Sequence, residues 1–106
     1  MENEKPFLNP DLTLKDLGEQ LQIPARYLSQ VINERTHQNF YDYVSQHRIA
    51  EAKRIFSDPS NNKTVLEVLY EVGFNSKSSF NTAFKKFTGS TPTHFRKRTD
   101  ALTASD

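Results

Sequence analysis

Cysteine and tryptophan are absent from this 106-residue chain, and glycine occurs only three times. Without cysteine there is no disulfide framework, no thiolate metal site and no cysteine nucleophile. That composition fits a reducing, cytoplasmic setting. Three scattered glycines cannot form a Gly-rich phosphate loop. No apolar run approaches the roughly 18 residues that a membrane span needs. The polar start from Met1 to Pro6 also lacks the apolar segment of a signal peptide. No membrane contact is therefore expected of this stretch. His37, His47 and His94 are far apart in sequence, with no His-x-x-x-His spacing, so no metal site is expected. Serine, histidine and aspartate all occur, but no nucleophile elbow does. The sequence reads as neither an enzyme nor a cofactor carrier.

Acidic residues are missing from one long stretch. The formal net charge is +1, which alone says nothing about partners. From Gly73 to Arg98, however, come Lys77, Lys85, Lys86, His94, Arg96, Lys97 and Arg98, with no Asp or Glu. The acids lie elsewhere, among them Glu2, Glu4, Asp11, Asp16 and Glu19 at the front and Asp100 and Asp106 in the tail. A one-sided basic segment is the electrostatic footprint of a phosphate-binding surface. A solvated basic face has the same composition.

What is present is helical periodicity. Thr13 and Asp16 form a capping pair ahead of Leu14, Leu17 and Leu21. Pro24 opens a second helix, with Tyr27, Leu28, Val31 and Ile32 on its apolar side. A longer helix runs from about Asn39 to Ser57. Its apolar members (Phe40, Tyr43, Val44, Ile49, Ala52, Ile55, Phe56) cover more than one stripe, so contacts on two sides are expected. The run 58–62, Asp-Pro-Ser-Asn-Asn, breaks the chain. Thr64 caps a short helix ended by Gly73. Ser76 caps the next, without a capping box, and Phe80, Ala83, Phe84 and Phe87 form its apolar side. Gly89 stops it, and Pro92 opens a last helix. The phenylalanine spacing predicts core rather than a stacking platform for single strands.

The pattern occurs twice, offset by 51 and then 52 residues. Thr13, Leu14, Leu17 and Leu21 match Thr64, Val65, Val68 and Val72. Leu28, Ile32 and Thr36 match Phe80, Phe84 and Thr88. Each copy is a capped helix, a tight turn and a second helix with a polar outer side, which is the sequence form of a helix-turn-helix. The expected class is all-α, with about seven helices in two helix-turn-helix subdomains joined by a long linker helix. The divisions are 12–37, 39–57 and 64–98, with a polar tail at 99–106.

The outward rows suit duplex DNA. Arg26, Ser29, Gln30 and Asn33 form one row, and Lys77, Ser78, Asn81 and Thr82 the other. Arg pairs bidentately with guanine, and Gln or Asn with adenine. Phosphate-contact candidates are Tyr27, Arg48, Thr64, Ser76, Lys85, Lys86, His94 and Arg96. Arg48 and Arg54 fit equally an ion pair with Glu51 or Asp58. Tyr27 fits packing equally well. A linker of about 18 helical residues spans roughly 27 Å. That is near the roughly 34 Å between successive major grooves on one face of B-DNA. Two rival readings stay open: a helical protein-interaction module and a non-specific DNA-binding module.

The run Gly73-Phe74-Asn75-Ser76-Lys77-Ser78-Ser79-Phe80 is followed by Phe84-Lys85-Lys86-Phe87-Thr88-Gly89, Thr91-Pro92 and Phe95-Arg96. Together these resemble the DNA-binding domain of the AraC/XylS family of bacterial transcription regulators. Tyr27-Leu28-Ser29, Asn39-Phe40 and Arg48-Ile49 with Ala52 resemble its first unit and linker. The resemblance covers about Leu12 to Lys97. It implies a small leading helix near Lys5 to Leu8 and base contacts from both recognition helices. It also implies a sensory or signalling domain N-terminal to this one, and activation through RNA polymerase. The lead-in from Pro6 to Thr13 resembles that of hybrid two-component regulators. No exposed heptad or large apolar stripe appears, so the isolated domain is expected to be a monomer. Two departures stand out: Gly18 and Leu69 occupy positions where the family commonly has Ala. Gly18 is expected to weaken its helix by roughly 0.5–1 kcal/mol relative to Ala. Leu69 is expected to tilt its helix pair or to point elsewhere. Gln22 sits where a left-handed backbone would favour Gly or Asn.

Overall fold

Most helices in this chain begin where a side chain satisfies a free backbone N–H group, and the helix that follows Pro24 begins without such a cap. The computed structural model describes residues 6–58 and 60–97. A 3-10 turn over Pro6–Leu8 leads into α1 (Leu14–Leu21), α2 (Ala25–Thr36), α3 (Phe40–Phe56), α4 (Val65–Glu71) and α5 (Lys77–Thr88). A closing helix, α6, covers 92–97. No strand occurs among the described residues. Arg98 and the tail at 99–106 lie outside them, as does Lys5.

The two units repeat down to single hydrogen bonds. Thr13 and Thr64 each close a capping box, with Asp16 and Glu67 respectively. At the other end of α1, Ile23 N–H donates to Gly18 O at 2.8 Å and Gln22 N–H to Glu19 O at 3.2 Å. At the end of α4, Phe74 N–H donates to Leu69 O at 2.9 Å and Gly73 N–H to Tyr70 O at 3.2 Å. This pair of bonds is a Schellman motif, which needs a left-handed residue. Gln22 supplies it at φ 60° and Gly73 at φ 103°. Helices α2 and α5 also end alike. The Thr36 hydroxyl donates to Ile32 O at 2.6 Å, and the Thr88 hydroxyl to Phe84 O at 2.7 Å. The left-handed caps His37 (φ 57°) and Gly89 (φ 80°) follow. Then Asn39 caps α3 and Thr91 caps α6. The first turn of the linker thus occupies in unit one the place that α6 occupies in unit two.

The core is lopsided. In the first unit Leu17, Leu28 and Ile32 form the buried cluster, with Leu12, Leu14, Ile23, Phe40 and Tyr43 around it. The second cluster holds eleven buried apolar side chains, from Ile49, Ala52, Ile55 and Phe56 of α3 to Phe80, Ala83 and Phe84 of α5. The front of α3 therefore serves one cluster and its rear the other, as its broad apolar face predicts. Phe56, Phe80, Phe84 and Phe95 meet in edge and tilted contacts with ring centroids 5.4–6.4 Å apart. These rings are core, not a stacking platform.

Both departures from the family pattern have a packing explanation. A Cβ at residue 18 would lie 2.6 Å from the carbonyl oxygen of Ile23, with Ala25 N at 3.4 Å. Glycine is what lets the turn and the start of α2 close onto α1. Close contact at the turn opposes the helix propensity that glycine gives up at this position. Leu69, at the equivalent place in unit two, is fully buried in the larger cluster and keeps the same Schellman bond. After the left-handed residue the chain runs one residue further before α5 than before α2 (74–76 against 23–24), and α4 carries a leucine where α1 carries glycine.

Candidate nucleic-acid interface

The opposite faces of α2 and α5 have opposite fates. Leu28 and Ile32 are 5% exposed, and Phe80 and Phe84 are 0%. These anchors fix the rotation of each helix about its axis. Arg26, Ser29, Gln30 and Asn33 are all exposed on α2, and Lys77, Ser78, Asn81 and Thr82 are all exposed on α5. The structure thus brings each outward row together as one solvent-facing strip, with its apolar back locked to the rest of its unit.

The strips differ in their free state. On α2, the Gln30 amide donates to the Glu34 carboxylate at 3.0 Å, and the Arg26 guanidinium lies 5.5 Å from the Tyr27 ring centroid. Glu34 is a member of the strip that residue type alone did not single out. Its spacing of four from Gln30 was the available signal. The Glu34 carboxylate holds the Gln30 amide in one orientation, and a carboxylate is an acceptor that suits cytosine N4. α5 has no acid on its strip, and its first turn carries none.

The phosphate candidates separate into three groups. Tyr27 is half-exposed at 54%, and Lys85 and His94 are exposed. Thr64 and Ser76 sit at helix starts. Their hydroxyl oxygens accept from Glu67 N–H and Ser79 N–H, which leaves each O–H able to donate to an anion. Lys86 and Arg96 are partly engaged. The Lys86 ammonium lies 3.1 Å from Asp42 of α3 and 5.5 Å from the Phe87 ring centroid. Arg96 is half-buried, with its guanidinium 6.0 Å from the Phe56 ring centroid.

Arg48 is the correction. It is 7% exposed. Its Nε donates to Phe7 O at 2.6 Å and its second terminal nitrogen to Asn9 O at 2.8 Å. Desolvation lowers its pKa from the ordinary guanidinium value, against a smaller opposing influence from Tyr41. A buried cation whose donors face backbone carbonyls does not meet phosphate. The signal was in the sequence: Val44, Arg48 and Ala52 are spaced by four, which sets Arg48 on a buried row of α3. Arg54, the other candidate on the linker, pairs with Glu51.

Among the described residues no group of three His, Asp or Glu gathers as a metal site, and no helix is long and apolar enough to cross a membrane.

Comparison with known proteins agrees with this geometry. A family model described as a helix-turn-helix domain matches residues 17–98. The melibiose operon regulatory protein of Escherichia coli strain K12 is 28% identical over 86 residues, which is 81% of this chain and 28% of that protein. The C-terminal domain of AraT, a response regulator from Geobacillus stearothermophilus, superposes with a TM-score of 0.74 at 29% identity, covering 87% of this chain and 74% of that one. The DNA-binding domain of AdpA, a global transcriptional factor solved with a target DNA, superposes with a TM-score of 0.77 over 91% of this chain and 84% of that one. At 19% identity that likeness is one of fold. The chain spans 30% of the length of the Msm operon regulatory protein of Streptococcus mutans and 28% of that of the melibiose operon regulatory protein.

Proposed function

This chain belongs to the AraC-type helix-turn-helix family, DNA-binding domains of transcription regulators and not enzymes, and from that premise we propose that it reads specific duplex sites with both units, one recognition helix in each of two successive major grooves. The observation that carries this reading is the pair of outward strips. Eight hydrogen-bonding side chains are exposed on two helices whose backs are locked in core. Gln30 and Asn81 are the base-reading amides at the centre of each strip. Lys85, Tyr27 and His94 flank them for phosphate, with the capping hydroxyls of Thr64 and Ser76. The long axis of the molecule, 49 Å, accommodates two helices spaced for grooves about 34 Å apart. A shorter spacing between the helices would be met by bending the DNA, at a cost of order 1–6 kcal/mol.

In the full regulator this unit serves as the output domain. A sensory or signalling region precedes it, and RNA polymerase is its partner in activation. In isolation it is a monomer.

The test is selection from random duplex DNA, followed by titration of the winner across a salt series. Two half-sites about one helical turn apart and a steep salt slope are expected. Gln30→Ala and Asn81→Ala should each relax preference at defined base pairs by about 1–3 kcal/mol. Lys85→Ala should weaken all duplexes alike. Enrichment of one half-site would limit reading to one unit. Binding without enrichment would make this a non-specific module. No DNA binding at all would favour a protein-interaction module.

A further inference from the structure

The two helix-turn-helix turns are not equally free. Gln22, the left-handed residue of the first, is exposed. Gly73, its counterpart, is buried beneath the lead-in segment. A Cβ on Gly73 would lie 2.5 Å from Phe7 O, 2.8 Å from Arg48 Nε and 3.1 Å from Leu8 O. The segment over residues 6–10 therefore straps the turn that leads into α5. The strap is held from outside that turn. Arg48 reaches from α3 to take the carbonyls of Phe7 and Asn9, and its guanidinium lies 5.6 Å from the Phe74 ring centroid. Phe7 is buried and stacks on His47, and Leu8 packs against the second core. Beside the strap, a cleft of about 220 Å³ opens between Pro10, Tyr41, Arg48, Phe74 and Ser79. Packing does not fill that side, which leaves the Arg48 hydrogen bonds to hold the strap there. The carbonyl dipoles of Phe7 and Asn9 face the Arg48 guanidinium.

We propose that Arg48 is a positioning residue for the second recognition helix: by tying the strap onto the Gly73 turn, it fixes where α5 starts and how its strip is presented to DNA. Gly73 and Phe74 stand just before Asn75 and the N-cap Ser76, so a displaced strap displaces the first turn of α5. In the first unit the matching left-handed residue, Gln22, is exposed rather than strapped. The DNA part of this inference rests on the two-groove reading above; the positioning of α5 does not.

The test compares the whole chain with Arg48→Met, which keeps the stem and loses both donors. Amide exchange in the free protein is read at four matched sites. Phe74 and Phe80 N–H report the second turn and the start of α5. Ile23 and Leu28 N–H make the same bonds in the first unit. Exchange at Phe74 and Phe80 should rise about tenfold while Ile23 and Leu28 stay within about twofold. Arg48→Lys, which keeps the charge and one donor, should recover part of the protection. Gly73→Ala, which pushes the strap outward, should reproduce the pattern. An equal rise at all four amides, or no rise, overturns the proposal. On the selected duplex, Arg48→Met should lose about tenfold in affinity when only the α5 half-site is intact, and little when only the α2 half-site is. A uniform loss overturns the positioning role. If the wild-type chain does not distinguish the two half-sites, the two-groove reading fails, and the exchange comparison still decides the role of Arg48.

Discussion

Gly18→Ala sets two opposing effects against each other in one methyl group. In a helix interior, alanine is better than glycine by roughly 0.5–1 kcal/mol. At residue 18 the new Cβ would sit 2.6 Å from Ile23 O. That oxygen belongs to backbone, and its residue is tied by the 2.8 Å bond from Ile23 N–H to Gly18 O. Moving it means moving Pro24, whose carbonyl accepts the first bond of α2 from Leu28 N–H. Relieving an overlap of about half an ångström against such a neighbour costs about 1–3 kcal/mol. The contact wins, and the net loss is about 1–2 kcal/mol. For a domain of this size each kcal/mol shifts Tm by about 4–8 °C. Thermal denaturation should therefore place Gly18→Ala about 4–16 °C below wild type, with a lower urea midpoint. Because α2 is what moves, affinity for the first half-site should fall further than that for the second. Gly89→Ala is the control. It has φ 80° and nothing within 4 Å of its Cβ position, so backbone strain alone costs about 1–2 kcal/mol. A Gly18→Ala protein with unchanged or higher Tm would refute the close-approach argument.

Three further outcomes are expected. Gln22→Gly should stabilise the chain by about 0.5–1 kcal/mol, since an exposed glutamine at φ 60° holds the left-handed turn; a lower urea midpoint would count against this. Ser45 is 1% exposed and its hydroxyl has no hydrogen-bond partner, so Ser45→Ala should raise stability by about 0.5–1 kcal/mol in the same assay. Burial holds the His47 imidazole below its ordinary pKa of 6.5, where it stacks on Phe7 and meets the edge of Tyr43. The unfolded chain then binds the proton more readily than the folded one. Its stability contribution is whole above about pH 6.5 and is lost as pH falls from there through the folded pKa. Urea midpoints from about pH 8 to about pH 5 should drop more steeply for wild type than for His47→Phe, and parallel curves would remove His47 as the cause.

Most helix starts and stops were legible in the residues. Thr13, Asn39, Thr64 and Ser76 cap because a short hydroxyl or amide side chain can reach N–H groups three residues on, which is a local property. Gly73 and Gly89 end helices because φ above zero costs glycine little. The repeat, and with it the outward strips, followed from apolar spacing, since 3.6-residue periodicity fixes which side faces the core. Three things depended on the fold. Arg48 carries the residue type of a phosphate ligand, and only the strap's return over α3 made it a buried anchor, across about forty residues of sequence. Gly18 reads locally as a weak helix former; the approach of Ile23 O makes it the residue that fits. Lys86 reads as a free cation until α5 docks beside Asp42. Caps and periodicity are settled by neighbours along the chain, whereas contact distance, burial of a charge and pairing between helices are set by residues that meet only once the chain has folded.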